Sequence, residues 1–111
     1  MAAAKRALNN FELMILLAVM RLEVAYGVPI SRQLEETLGH PVAIATIYTT
    51  LERLETRGLV KSELGDPTPE RGGRAKRVFR ITARGVREVQ DARRVLTQLW
   101  SGLPQLKGQP S

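Results

Sequence analysis

The sequence predicts a mainly α-helical domain with a small β-hairpin, on three observations. Segments at about 11–25, 29–38, 43–57 and 83–102 carry apolar residues at helical spacing. Gly27, Gly39 and Gly58 stand where the first three of these should stop. Between the third and fourth lie two short stretches, 59–64 and 74–81, around a loop from Gly65 to Gly73 that contains Pro67 and Pro69. A chain of 111 residues has room for one folding unit, and it holds no internal repeat.

The first helix follows Lys5 and Arg6, and its apolar run from Leu13 to Met20 resembles the start of a signal peptide. That run is eight residues, too short to span a bilayer, and Glu12, Arg21 and Glu23 flank it. A buried helix is therefore expected, with Asn10 as its N-cap and Gly27 as its stop. It is apolar nearly all round, so it needs partners on several sides. Pro29 suits the first turn of the second helix, which ends at Gly39.

In the third helix successive residues are about 100° apart, so Ile44, Ile47, Leu51 and Leu54 share one face and Tyr48 lies on its edge. Thr46, Thr49, Arg53 and Arg57 fall opposite, where hydroxyl and guanidinium groups can reach base edges and phosphates in a major groove. With Tyr48 and Thr50 they form the candidate DNA-contacting set of this helix. Arg53 and Arg57 are four apart, a like-charge spacing that a polyanion would relieve. The helix alone is equally consistent with a solvated polar face; the hairpin favours DNA.

Charge is unevenly spread. The chain carries 17 Lys and Arg against 11 Asp and Glu, and residues 71–94 hold nine of the basic side chains against Glu88 and Asp91 alone. Such a segment on an otherwise near-neutral chain is the footprint of a protein that neutralises phosphates. Arg84 with Glu88 and Arg87 with Asp91 are spaced to pair locally, whereas Arg71, Arg74, Lys76 and Arg77 have no such neighbours. With Gly72 and Gly73 they cluster near the hairpin tip, where a groove or a phosphate is the natural partner. An anionic membrane is a poorer partner, because no basic helix with a strong apolar face accompanies the cluster.

Thr82 is placed to cap the last helix. Along it Val89, Ala92, Leu96, Leu99 and Leu103 recur at three and four, the pattern of a seam between helices. The seam can pack on the first helix of its own chain, and with Val86, Val95 and Trp100 beside it there is apolar surface for a second copy too, so a homodimer is expected. Trp100, the only Trp, is expected to fill the core between the last helix and the first. The chain divides into a three-helix and hairpin unit at 1–82, a dimerisation helix at 83–104 and a frayed tail at 105–111.

Several functions are disfavoured by what the chain lacks. Without Cys there is no disulfide framework or thiolate zinc site, which fits a reducing cytoplasm. His40 is the only His and precedes Pro41 in a turn, and the acidic residues lie on helix surfaces beside Arg. No enzyme, metal or cofactor is expected. The serious alternative to DNA binding is a module that binds another protein, with the basic hairpin incidental.

Three helices, a two-stranded wing and a trailing helix make a winged helix-turn-helix. Ile47-Tyr48, Leu51, Leu54-Glu55, Gly58-Leu59-Val60, Phe79-Arg80-Ile81-Thr82 and Gly85, with Tyr26-Gly27 near the end of the first helix, resemble the PadR-like transcriptional regulators over roughly 11–103. The chain departs from that pattern at Thr49, where Pro is common, at Ile47, where Leu is usual, and at Phe79, where Tyr is usual. The resemblance implies a dimeric regulator, usually a repressor, with one C-terminal helix for dimerisation. For some members it implies release by an aromatic or phenolic effector. The candidate slot would have the two copies of Trp100 facing across the two-fold axis, with Leu13, Leu17 and Leu96 beside them.

Overall fold

The structure, a computed structural model, describes residues 6–67 and 75–106. Its elements in order are α1 (Asn10–Arg21), α2 (Gly27–Leu38), α3 (Ile44–Thr56), β1 (Val60–Pro67), β2 (Ala75–Ile81), α4 (Ala83–Trp100) and a 3-10 turn (Pro104–Leu106). The two strands pair antiparallel, Val60 opposite Ile81 through Leu64 opposite Arg77, and an irregularity follows before Pro67 meets Ala75. This is a winged helix with a long trailing helix.

The core lies where the three-helix unit meets the base of the wing. Ile15, Leu16 and Val19 of α1, Ile30 and Leu34 of α2, and Ile47, Leu51 and Leu54 of α3 are buried together with Leu59, Val60, Phe79 and Val89. Gly39 and Gly58 take the left-handed conformation at φ 82° and 77°, ending α2 and α3 as the sequence predicts. Thr82 caps α4 by accepting from the Gly85 N–H at 3.0 Å.

The structure corrects several boundaries. The N-cap of α1 is Asn9, one residue earlier than expected. Its side chain accepts from the Glu12 N–H at 2.8 Å, and the Glu12 carboxylate accepts from the Asn9 N–H at 2.9 Å, a reciprocal capping box. The helix ends at Arg21, well before Gly27. The connection after it is recruited by the wing: Ala25 forms an isolated antiparallel bridge with Phe79, whose N–H donates to the Ala25 carbonyl at 2.8 Å. Gly27 therefore opens α2. Strand β1 continues through Gly65, and Gln105 and Leu106 form the 3-10 turn where a frayed tail was expected.

Helix α4 extends beyond the core. The Cα radius of gyration is 16.0 Å, against about 13 Å for a compact chain of this length. Its first half packs through Gly85, Glu88 and Val89, while residues 93–103 are exposed in the single chain.

Candidate nucleic-acid interface

Helix α3 presents Thr46, Thr49 and Arg53 together on its exposed side. The Thr49 hydroxyl donates to the Ala45 carbonyl at 2.9 Å, which leaves its methyl group as the outward surface. The Arg53 guanidinium makes no ion pair among the described residues. Ile44, assigned to the core by periodicity, is 42% exposed at the start of the helix beside them. Helical spacing puts Ile44 on the core face but does not show that this face is left open at the first residue of α3.

Three residues of the candidate set turn away from this surface. Thr50 is 1% exposed and donates its hydroxyl to the Thr46 carbonyl at 3.0 Å; it lies within about 60° of Ile47 and Leu54 around the axis, on the core side. Tyr48 is half-buried against Phe79, ring centroids 6.1 Å apart, and its hydroxyl accepts from the Gly27 N–H at 3.2 Å. A Cβ at Gly27 would stand 2.6 Å from that ring, so the close approach of α2 and α3 needs glycine there. Arg57 lies just past the helix end at its C-cap. Its guanidinium donates to the Arg6 carbonyl at 2.6 Å and stands 3.6 Å from Glu12, tying the N-terminal arm to the end of α3.

Glu12 is 1% exposed. Burial pushes its carboxyl up, but the hydrogen bond from Arg6, the Asn9 N–H and the nearby charges of Arg6 and Arg57 outweigh burial and hold it below the ordinary carboxylate range. The sequence signal was present, since Asn9 and Glu12 have capping-box spacing.

On the wing, Arg71 and Arg74 fall outside the described residues. Lys76 is partly covered: its ammonium donates to the Asp66 carbonyl at 2.9 Å and stands 5.4 Å from the centre of the Tyr26 ring. Arg77, expected to lack an acidic neighbour, has two. It donates to the Glu55 carboxylate, stands 3.5 Å from Glu52, donates through Nε to the Ser62 hydroxyl at 3.1 Å, and lies over the Phe79 ring. Strand alternation explains the direction, because Arg77, Phe79 and Ile81 share the inward face of β2.

Between α1 and α4 the structure brings Leu13, Leu17, Leu96 and Trp100 together. They line a groove of about 920 Å³ between α1 and α4, with Met20 and Val86. Trp100 does not fill the core of its own chain: it ends α4 within the exposed stretch 93–103 and is itself 62% exposed. Of the expected seam, Val89 is buried against its own chain and Ala92 partly so, while Leu96, Leu99 and Leu103 are exposed. Asp91 stands 3.7 Å from Arg94. Among the described residues there is no group of three metal-ligating side chains, and no helix long and apolar enough to cross a membrane.

Comparison with known proteins agrees with this geometry. Residues 16–91 match the transcriptional regulator PadR-like family. Among solved structures, a PadR family transcriptional regulator from Eggerthella lenta is 26% identical, with a TM-score of 0.67 over 90% of this chain and 85% of that one. RosR of H. salinarum is 25% identical, with a TM-score of 0.69 over 90% and 84%. A PadR-like transcriptional regulator from Bacillus cereus is 20% identical with a TM-score of 0.70 over 90% and 93%, a likeness of fold. No curated protein matches the chain.

Proposed function

Since the chain belongs to the PadR-like family of transcriptional regulators, and is thereby a DNA-binding regulator, we propose that it is a repressor that binds a palindromic operator as a homodimer. The observation that carries this reading is the exposed Thr46, Thr49 and Arg53 surface of α3 beside a basic wing. In a major groove Arg53 suits the two acceptors on a guanine edge, while the Thr49 methyl and Ile44 suit thymine methyl groups. Arg71, Arg74 and Lys76 of the wing supply phosphate contacts.

A second copy would give the half-site arrangement. Leu96, Leu99 and Trp100 of α4 and Leu103 just past its end, with Leu17 and Met20 of α1, leave a large apolar surface open in the single chain, the kind that marks an association site. Pairing through α4 sets two copies of α3 on one face, for half-sites about one or two DNA turns apart. The groove beside Trp100 then becomes a place where a flat aromatic or phenolic effector changes the angle between the last helices, and with it the spacing of the α3 copies.

Sequencing genomic fragments retained by the purified protein tests the proposal. An enriched inverted repeat overlapping promoters supports it. Retention of random fragments only, or of none at moderate salt, contradicts it and favours a protein-binding module.

A further inference from the structure

The wing and the recognition helix α3 are joined by a polar cluster that the DNA contacts do not use. Glu55, on the last turn of α3, accepts from the Ser62 N–H at 3.1 Å and from the Ser62 hydroxyl at 2.8 Å on β1, and from the Arg77 guanidinium on β2. One carboxylate thus touches both strands of the wing. Arg77 closes the cluster by donating to the same Ser62 hydroxyl at 3.1 Å, and its guanidinium is fixed from below by the Phe79 ring, 5.0 Å to the centroid. Its remaining edge stands 3.5 Å from Glu52, one turn earlier on α3. Two sides of the planar fork, Nε and one terminal nitrogen, donate within the α3 and wing junction, and the other terminal nitrogen faces Glu52.

We infer that Arg77 is a positioning residue for DNA binding that acts through Glu55: the pair is a strut that sets the wing's angle against α3, and Arg77 is not a phosphate contact. The inference rests on the DNA-binding reading and goes beyond it by separating the arginines of the hairpin into two kinds. Arg77, opposite Leu64 on the ladder, is of the kind that holds the wing against α3. A two-stranded hairpin has little stability of its own, so its direction depends on what anchors its base. The strut also keeps Glu52 and Glu55 neutralised next to the surface that meets phosphate, where bare carboxylates would repel it.

The strut predicts a sign that simple electrostatics does not. Glu55→Gln removes a negative charge beside the DNA-binding surface and on charge alone should tighten binding; loss of the strut should weaken it, by roughly tenfold for a lost hydrogen-bonded charge pair. Arg77→Lys keeps the charge but loses the fork. A phosphate contact would survive that change, since ammonium binds phosphate well, whereas the strut would not. Glu63→Gln, on the exposed outer side of β1 beside Arg80, is the matched control for charge removal.

The experiment measures binding of an enriched genomic fragment by wild type, Glu55→Gln, Arg77→Lys, the double variant and Glu63→Gln across a salt series, with amide hydrogen exchange of the free proteins alongside. The expected result is weaker binding for Glu55→Gln and Arg77→Lys at an unchanged salt slope, a double variant no worse than either single one, equal or tighter binding for Glu63→Gln, and faster exchange at Ser62 and Phe79 in the two single variants. Wild-type binding to Arg77→Lys, tighter binding by Glu55→Gln, or a slope reduced by about 0.9 in an Arg77→Met variant would overturn the inference. The exchange measurement needs no DNA, so failure of the strut is read separately from failure of the DNA-binding reading.

Discussion

Replacing Gly85 with Ala sets two physical effects of opposite sign against each other. Gly85 lies in the first turn of α4, where helix propensity alone favours Ala by about 1 kcal/mol. A Cβ there would stand 2.2 Å from the Leu59 carbonyl oxygen and 2.6 Å from Cγ1 of Ile81. The first is backbone at the start of the wing, and the same carbonyl accepts from the Thr82 N–H at 3.0 Å, so neither side can yield cheaply. Overpacking of this kind costs about 1–3 kcal/mol, and an immobile backbone neighbour puts it at the upper end. The net expectation is a loss of about 1–2 kcal/mol, seen as a urea midpoint lower by about 1 M at an unchanged slope when far-UV circular dichroism is followed at fixed protein concentration. Gly39→Ala is the comparison: nothing lies within 4 Å of its Cβ, so it bears only the strain of φ +82°, about 1 kcal/mol. A Gly85→Ala protein more stable than wild type would refute the argument that α4 docks by this contact.

Three further outcomes are expected. Because Glu12 is held below the ordinary carboxylate range when folded, its stabilisation is complete above about pH 4.3 and is lost as pH falls toward the lower folded value; Glu12→Gln should cost about 1–3 kcal/mol at pH 7 and flatten the acid limb of stability against pH, and an unchanged limb would contradict the assignment. Leu96→Asp with Leu99→Asp should give monomers by sedimentation at micromolar concentration, since charges do not survive burial in an apolar seam; persisting dimers would place the interface elsewhere. Titrating planar aromatic cations and phenolic acids should quench the fluorescence of Trp100, the single source of signal, together with operator release, and no response to either class would remove the effector from the proposal.

The fold was legible in the sequence wherever periodicity and stop residues agree. The three helices, the capped fourth helix and the hairpin follow from Leu and Ile spacing with Gly39, Gly58 and Thr82 as punctuation. Gly27 misled because a glycine required by the close Tyr48 ring looks the same in sequence as one that ends a helix. Arg57 and Arg77 were harder still. A basic residue reads as solvent-facing until its partner is known, and Glu12 and Glu55 are 45 and 22 positions away from them. The inward direction of Arg77 was nevertheless present in the alternation it shares with Phe79, outweighed by its place in a basic run. Trp100 shows the opposite limit: an apolar residue on a helix seam predicts burial, yet in the single chain it is 62% exposed.

If α3 reads base edges through its exposed face, Arg53→Ala separates base readout from phosphate contact. Affinity for an enriched genomic fragment and for random DNA of equal length should be measured for wild type and variant across a salt series. The expected result is a loss of about 1–3 kcal/mol on the enriched fragment, a much smaller loss on random DNA, and so a reduced specificity ratio. An equal loss on both would make Arg53 a phosphate contact only, and no loss on either would take α3 out of the groove.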